Sequence, residues 1–321
     1  MEQIANEPIV FTPYLKSVIW GGNKICEYKG IAHTMDKIGE SWEISAIPGH
    51  VSVVESGKYA GMTLNELIVK FGEQLLGKKV FETYGGKFPL LIKLIDAADN
   101  LSVQVHPDDE LAMKRHNSLG KTEMWYIIST DEDAKIYAGL NTVISPDQYK
   151  SKVADGTITD IIATHDSTPG DVFFLPAGRI HAIGAGNLLA EIQESSDITY
   201  RIYDYNRKDA NGNTRELHTE LAKDAIDYNV YDNYKSESNH DKSGNLVSCN
   251  HFKVTKLIVD GETGLTFSPD SFTVIMCIDG EITYNTSSGN NHLTKSHTLL
   301  LPATMTKLSI TGKATLLLAQ S

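Results

Sequence analysis

Four side chains of this 321-residue chain could together hold one divalent cation: Gln104, His106, Glu123 and His181. The first two stand in Leu101-Ser-Val-Gln-Val-His106, a run halted by Pro107. Alternate side chains of a strand point to opposite faces, which puts Ser102, Gln104 and His106 on one side and Leu101, Val103 and Val105 on the other. The neighbouring run Pro89-Leu-Leu-Ile-Lys-Leu-Ile95 reads as a buried strand, so the polar face is expected to line a cavity. Glu123 begins another strand-like run, Glu-Met-Trp-Tyr-Ile-Ile, and shares a face with Trp125 and Ile127. His181 closes Gly170-Asp-Val-Phe-Phe-Leu-Pro-Ala-Gly-Arg-Ile-His, which reads as turn, buried strand, turn and fresh strand. Imidazole and carboxylate donors suit zinc, and a catalytic zinc keeps one position open for water or substrate. Iron and manganese accept the same donors, since two histidines with a carboxylate also form an oxygenase site. The plainer reading makes His106 a hydrogen-bonded strand histidine and Glu123 a solvated acid.

Such residues need strands to aim them and turns to bring them together. Pro8 to Tyr59 is strand-like, broken by Gly21-Gly22, Gly39 and Pro48-Gly49, and its Trp20 and Trp42 read as core or pocket wall. A helix is predicted from Thr63, with Glu66 completing a capping box and Leu64, Leu67, Ile68, Phe71 and Leu75 forming its apolar stripe up to Gly77. Asp108 offers the cap of a short helix through about His116 that ends near Gly120, and Ser145-Pro-Asp-Gln starts another. Leu188 to Arg207 is strand-rich, with Glu191 and Gln193, then Arg201, Tyr203 and Tyr205, at alternating positions. Thr214 to Tyr228 has helical spacing, and the polar, serine-rich stretch Tyr231 to Asn245 reads as a linker.

A chain of this length can bury a large core, and two domains are expected. Its net charge of -12, from 41 acidic and 29 basic residues, argues against a nucleic-acid partner. The cysteines Cys26, Cys249 and Cys277 are odd in number and far apart, which fits free thiols in a reducing compartment. Met1 to Trp20 has no apolar leader-like core and no run approaches the ~18 apolar residues of a membrane span, so a cytoplasmic protein without a membrane partner is expected. An internal repeat is visible: Asp171-Val-Phe-Phe-Leu-Pro-Ala-Gly-Arg-Ile-His181 aligns without gaps on His297-Thr-Leu-Leu-Leu-Pro-Ala-Thr-Met-Thr-Lys307. Lys307 replaces His181 in the second copy, and Glu123 falls near Val274, so that copy is expected to hold no metal. Many short strands with glycine turns, given twice, imply a mainly β protein of two antiparallel jelly rolls, with short helical insertions around the first. The expected division is a metal-binding catalytic domain over 1–238 and a degenerate domain over 246–321.

The motifs Leu-Ser-Val-Gln-Val-His-Pro-Asp, Gly-Lys-Thr-Glu-Met-Trp-Tyr, Leu-Pro-Ala-Gly-Arg-Ile-His-Ala and Glu-Ile-Gln-Glu-Ser-Ser-Asp-Ile-Thr-Tyr-Arg occur in that order. In order and spacing the chain resembles the type I mannose-6-phosphate isomerases, in their short bacterial form. The resemblance implies a cupin fold, one zinc per chain, and interconversion of mannose 6-phosphate and fructose 6-phosphate. By it, Gln104, His106, Glu123 and His181 match the zinc ligands, Arg201 the active-site arginine, and Lys121 the lysine before the glutamate ligand. Lys93, Ser102 and Arg207 match the phosphate pocket. The chain departs from longer members in having only a short insertion between the lysine-glutamate motif and the last histidine, and in carrying Glu43 after Trp42. Aldose-ketose exchange moves a proton between C1 and C2 through an enediolate, so it needs a stabiliser of the developing oxyanion and an acid-base group. Zinc and the permanently charged Arg201 suit the first task. Lys121 and Glu191 compete for the second, Glu191 having the alternative of merely orienting its neighbours. Another metal-dependent cupin enzyme, an oxygenase, and a non-catalytic sugar-phosphate-binding protein stay open as alternatives. The second jelly roll is expected to serve structure or a homodimer surface.

Overall fold

Leu90–Ala97 is buried along its whole length because both of its faces are covered. Leu90, Ile92 and Leu94 point outward into a core shared with the rest of the molecule, while Ile95 and Ala97 point inward. The strand lies between Asn187–Glu194 and Ile38–Ile44 in a seven-stranded antiparallel sheet. In this computed structural model the described residues are 2–33, 35–208, 211–236, 240–286 and 289–321. Among them, a second, five-stranded sheet closes over the first, and between the two lie Trp20, Ile95, Leu101, Trp125, Phe173 and Ile183. Two sheets packed face to face in this way make the first jelly roll.

The alternation expected at Leu101–His106 holds, although the paired strand is only Val103–Val105. Val103 and Val105 turn away from the sandwich, into a separate cluster with Ile202 of the neighbouring strand and with Tyr149, Ile158 and Ala222 from the helical insertions. Gln104 is thereby left on the inner face, paired in register with both His181 and Arg201.

The C-terminal segment forms an eight-stranded sheet built on three strands of fourteen residues each, Lys253–Thr266, Thr273–Thr286 and Lys307–Gln320. Its interior is filled by Ile275, Cys277, Leu299, Leu301, Leu308, Ile310 and Leu316. The repeat seen in the sequence corresponds to like elements: Val172–Leu175 with the start of His181–Ile183, and Thr298–Leu301 with the start of Lys307–Gln320. Pairing corrects the alignment of Glu123 by one residue. Glu123 lies opposite Leu175, and the residue opposite Leu301 is Thr273, not Val274. Val274 points the other way, into the shared core with Met124, Tyr126, Ile192, Leu300 and Leu317 that joins the two jelly rolls. The N-terminal segment contributes to the second sheet as well, since Ile9–Thr12 pairs with Leu299–Leu300 and with Val53–Val54. Buried Lys29 bridges Glu43 at 2.8 Å and the Ser296 carbonyl at 3.0 Å, tying the two parts together.

Three stretches differ from their sequence reading. The capping box at Thr63 and Glu66 is present, but the helix stops at Phe71, because Gly72 takes a positive φ of 50° and starts a new turn over Glu73–Leu76. Of Thr214–Tyr228 only Thr219–Ala225 is helical, since the His218 amide is engaged by the Arg201 carbonyl and the Asp227 amide by that of Gly178. The stretch read as a linker is anchored: Tyr234 is buried with its hydroxyl on the Leu140 carbonyl, and Lys235–Ser236 adds an edge strand beside Val172–Phe173. Residue 238, the expected end of the first domain, lies outside the described residues. The three cysteines are free thiols, and no helix among the described residues is long and apolar enough to cross a membrane.

Candidate metal centre and active site

The two sheets of the first jelly roll each contribute to one cluster of donors. His106, just beyond Val103–Val105, and His181 come from the five-stranded sheet; Glu123, first residue of Glu123–Thr130, comes from the seven-stranded one. Their ligand atoms lie within 4.8 Å of one another, and all three residues are buried. His106 Nε2 is 3.6 Å and His181 Nε2 3.3 Å from the Glu123 carboxylate. Each ring has its Nδ1 against a backbone carbonyl, Ile198 O at 2.9 Å for His106 and Arg179 O at 2.8 Å for His181. A donating Nδ1–H fixes the tautomer and leaves the Nε2 lone pair of each ring facing the cluster. Gln104 joins them, its amide 3.3 Å from His181 Nε2, and a flip of that amide presents its carbonyl oxygen instead.

Electrostatics follow from burial. Desolvation holds His106 well below the ordinary histidine value, helped by the Lys121 charge, and brings His181 down to about 3, so both imidazoles are neutral. Burial pushes the Glu123 carboxyl upward, against the pull of Lys121. His106 Nε2 and Glu123 Oε1 are buried without hydrogen-bond partners. Neutral imidazoles, a buried carboxylate and an amide oxygen are a donor set that fits a divalent cation.

From this cluster a cavity of about 400 Å³ opens outward. Gln104, Ser102, Lys121, Glu191, Lys93 and Arg201 all line it. Lys121 places Nζ 3.0 Å from Glu123 Oε2. Lys93 and Glu191 are cross-strand partners, flanked by Trp42 on one side and Trp125 on the other, so the four form one row across the sheet. The buried Lys93 ammonium finds its anions in Glu191 at 3.0 Å and Glu40 at 3.6 Å, which raise its pKa against desolvation. For Glu191, burial works upward but Lys93 and Lys121 outweigh it, and its carboxyl falls below the usual range while accepting from Trp125 Nε1 at 2.9 Å. Arg201 is half-buried; desolvation and then nearby Arg215 lower its pKa, and it donates to the Glu216 carbonyl at 3.0 Å.

Arg207 does not reach the cavity wall. Its guanidinium is taken by Asp204 and the Asn100 carbonyl and lies over the Tyr205 ring. Arg215 occupies the wall instead, held by Asp204 through its Nε at 2.7 Å. Sequence reading did not find Arg215, which carries no local signal, because Asp204 and the return of the chain place it. It also missed Glu40, although a carboxylate inside the fully buried strand Ile38–Ile44 was a signal. A larger and more open cleft of about 690 Å³ lies where Lys24 and Tyr126 meet Asp279 and Lys295, away from the donor cluster.

Comparison with known proteins bears on this site. The family described as phosphomannose isomerase type I, catalytic domain, matches residues 10–143, and that described as mannose-6-phosphate isomerase, cupin domain, matches 242–320. A mannose-6-phosphate isomerase of Bacillus subtilis is 37% identical over 284 residues, covering 87% of each chain. One from Streptococcus mutans is 41% identical over 220 residues, 68% of each. The crystal structure of a mannose 6-phosphate isomerase from Bacillus subtilis superposes with a TM-score of 0.88 at 35% identity, covering 97% of this chain and 99% of that one.

Proposed function

The chain belongs to the type I phosphomannose isomerases, and from that premise we infer that it interconverts mannose 6-phosphate and fructose 6-phosphate, with one zinc ion per chain held by Gln104, His106, Glu123 and His181. The observation that carries this is the meeting of three buried donors, His106, Glu123 and His181, and the half-buried Gln104 with a cationic cavity wall in one sandwich. When bound, zinc supplies Lewis acidity that polarises the sugar oxygens at C1 and C2.

The chain's own residues do the rest. Lys121, beside Glu123 at the inner end of the cavity, carries the proton between C1 and C2 of the enediolate. Glu191 is the weaker candidate, because two ammonium groups hold it ionised and its oxygens are engaged by Trp125 and Lys93. Its task is to keep Lys93 charged and in place. Arg201, fixed by the Glu216 carbonyl, faces the negative oxygen that develops during proton transfer. For the phosphate, Ser102 and Lys93 offer donors from the cavity wall. Arg215 supplies the further charge, with Arg207 behind it sharing Asp204 and also meeting Asp99 at 3.5 Å. Along the cavity wall Lys16, Lys93, Lys121, Arg201 and Arg215 outnumber the carboxylates Glu40, Glu191 and Asp197, which leaves a local excess of positive charge. A chain of net charge -12 needs such a local excess to attract a dianion. The cytoplasm, where sugar phosphates are held, is the compartment consistent with three free thiols.

A coupled assay on fructose 6-phosphate, run with metal analysis of the same preparation, tests the proposal. Stoichiometric zinc with turnover that chelation abolishes is the expected result. Turnover by protein shown to be metal-free, or no turnover by the zinc-loaded protein, overturns it.

A further inference from the structure

The segment that carries Lys121 and Glu123 is gripped from behind. Lys121 and Glu123 face the cavity side, and the amides of Gly120 and Thr122, which alternate with them, are each bound by a carboxylate. Gly120 N donates to Asp109 Oδ1 at 2.8 Å, and Thr122 N donates to Glu194 Oε2 at 2.7 Å. Glu194 N returns a bond to the Thr122 carbonyl at 3.1 Å. Gly120 runs so close to its neighbour that a Cβ would stand 2.6 Å from the Asp108 and Asp109 backbone, so this contact leaves the segment little slack.

Both carboxylates turn their second oxygen to one residue of the other jelly roll. His251 sits in the turn between Gly244–Ser248 and Lys253–Thr266, and its Nδ1 is 3.1 Å from Glu194 Oε1 and 3.9 Å from Asp109 Oδ2. Glu194 is almost fully buried, and the turn is itself fastened, the Ser321 hydroxyl donating to the His251 carbonyl at 2.9 Å. Three stretches that matter to the chemistry meet here: Pro107–Asp109 directly after His106, Gly120–Glu123, and Glu191–Glu194.

We propose that His251 is a positioning residue for the isomerisation: by holding Glu194 and Asp109 it fixes the Gly120 and Thr122 amides, and so aims Lys121 and Glu123. This gives the second jelly roll a part in turnover. It rests on the function proposed above for Lys121 and Glu123, although the clamp itself does not. A neighbour that only orients a ligand-bearing segment typically changes activity about 10- to 100-fold when removed.

Amide exchange and kinetics on three variants of the full chain test the two parts separately. Asn places its amide nitrogen where His251 has Nδ1, whereas Gln places it one bond further out. His251→Asn is therefore expected to keep kcat within about threefold, while His251→Ala and His251→Gln lower it about tenfold or more with KM nearly unchanged and metal content intact. Exchange of the amides over 119–123 is expected to quicken about tenfold in His251→Ala and His251→Gln but not in His251→Asn. Unchanged exchange in the Ala and Gln variants overturns the clamp. Quickened exchange with unchanged kcat overturns the positioning role. Should the unaltered chain fail to isomerise sugar phosphate, the function proposed above falls, and exchange still decides the clamp. Should His251→Ala not fold, the contrast of Asn with Gln carries the same decision, and equal kcat in those two overturns the proposal.

Discussion

At the scale of single residues, the donors and the groups beside them are expected to separate into metal, chemistry and binding. His106→Ala or His181→Ala removes an Nε2 from a cluster whose ligand atoms lie within 4.8 Å, so zinc and turnover should vanish together. Lys121→Ala should keep the metal, since Lys121 pairs with Glu123 without being a donor, and lose turnover; metal analysis beside the coupled assay distinguishes the two. Arg201→Ala should lower kcat by about 2 to 4 kcal/mol in transition-state terms, as for loss of one oxyanion donor, with little change in KM. Arg215→Ala should do the reverse. Loss of a charged hydrogen bond to phosphate, roughly 1.5–3 kcal/mol, raises KM about tenfold or more and narrows the preference for phosphorylated over free sugar. Lys93→Met is expected to raise KM too, and because it also takes the bound ammonium from buried Glu191, while Glu40 keeps Lys16, it should lower stability as Arg215→Ala does not.

At the scale of elements, what matters is how the strand ends are pinned. The pair of His251 with Glu194 joins a turn of the second jelly roll to the end of Asn187–Glu194, and the carboxylate beside the ring raises the His251 pKa despite desolvation. Protons are thus bound more tightly by the folded chain. The stabilisation is fully present below the ordinary histidine value and is lost as pH rises through the raised one. Melting temperature measured from pH 5 to 9 should therefore fall on the alkaline side more steeply for the unaltered chain than for His251→Asn. Equal slopes would show that this ion pair contributes nothing to stability.

For the whole molecule, the two jelly rolls cannot be parted cleanly. Met124, Tyr126 and Ile192 on the outer face of the first pack with Val254, Val274, Leu300 and Leu317 on the outer face of the second, and Ile9–Thr12 is a strand of the second sheet. Deleting Cys249 to Ser321 would bare that apolar face and leave Ile9–Thr12 without its partner strand, so aggregation or loss of cooperative unfolding is expected. A soluble truncated chain with an unchanged melting temperature would contradict it. The same packing gives the second roll, its interior lined by Ile275, Leu301 and Leu316, a structural part in the molecule.

Much of this was legible in the sequence, because it depends on local periodicity. Alternation placed Gln104 and His106 on one face and Val103 and Val105 on the other. The capping pair at Thr63 and Glu66 and the run Ser145-Pro-Asp-Gln announced their helices, and the repeated Leu-Pro-Ala announced two like sheets. The motifs carried the family. Hidden were the features set by contacts between residues far apart in the chain. Nothing near Arg215 says that it faces the cavity while Arg207 turns away; Asp204, bound to both, decides that. Tyr234 gave a polar stretch an anchor that composition cannot show, because one buried ring with its hydroxyl satisfied holds a segment that has few other apolar residues. An ammonium inside a buried strand is costly by itself, and only the register supplies Lys93 with Glu191 beside it. Periodicity fixes which face a side chain takes, and only the meeting of distant strands fixes what that face meets.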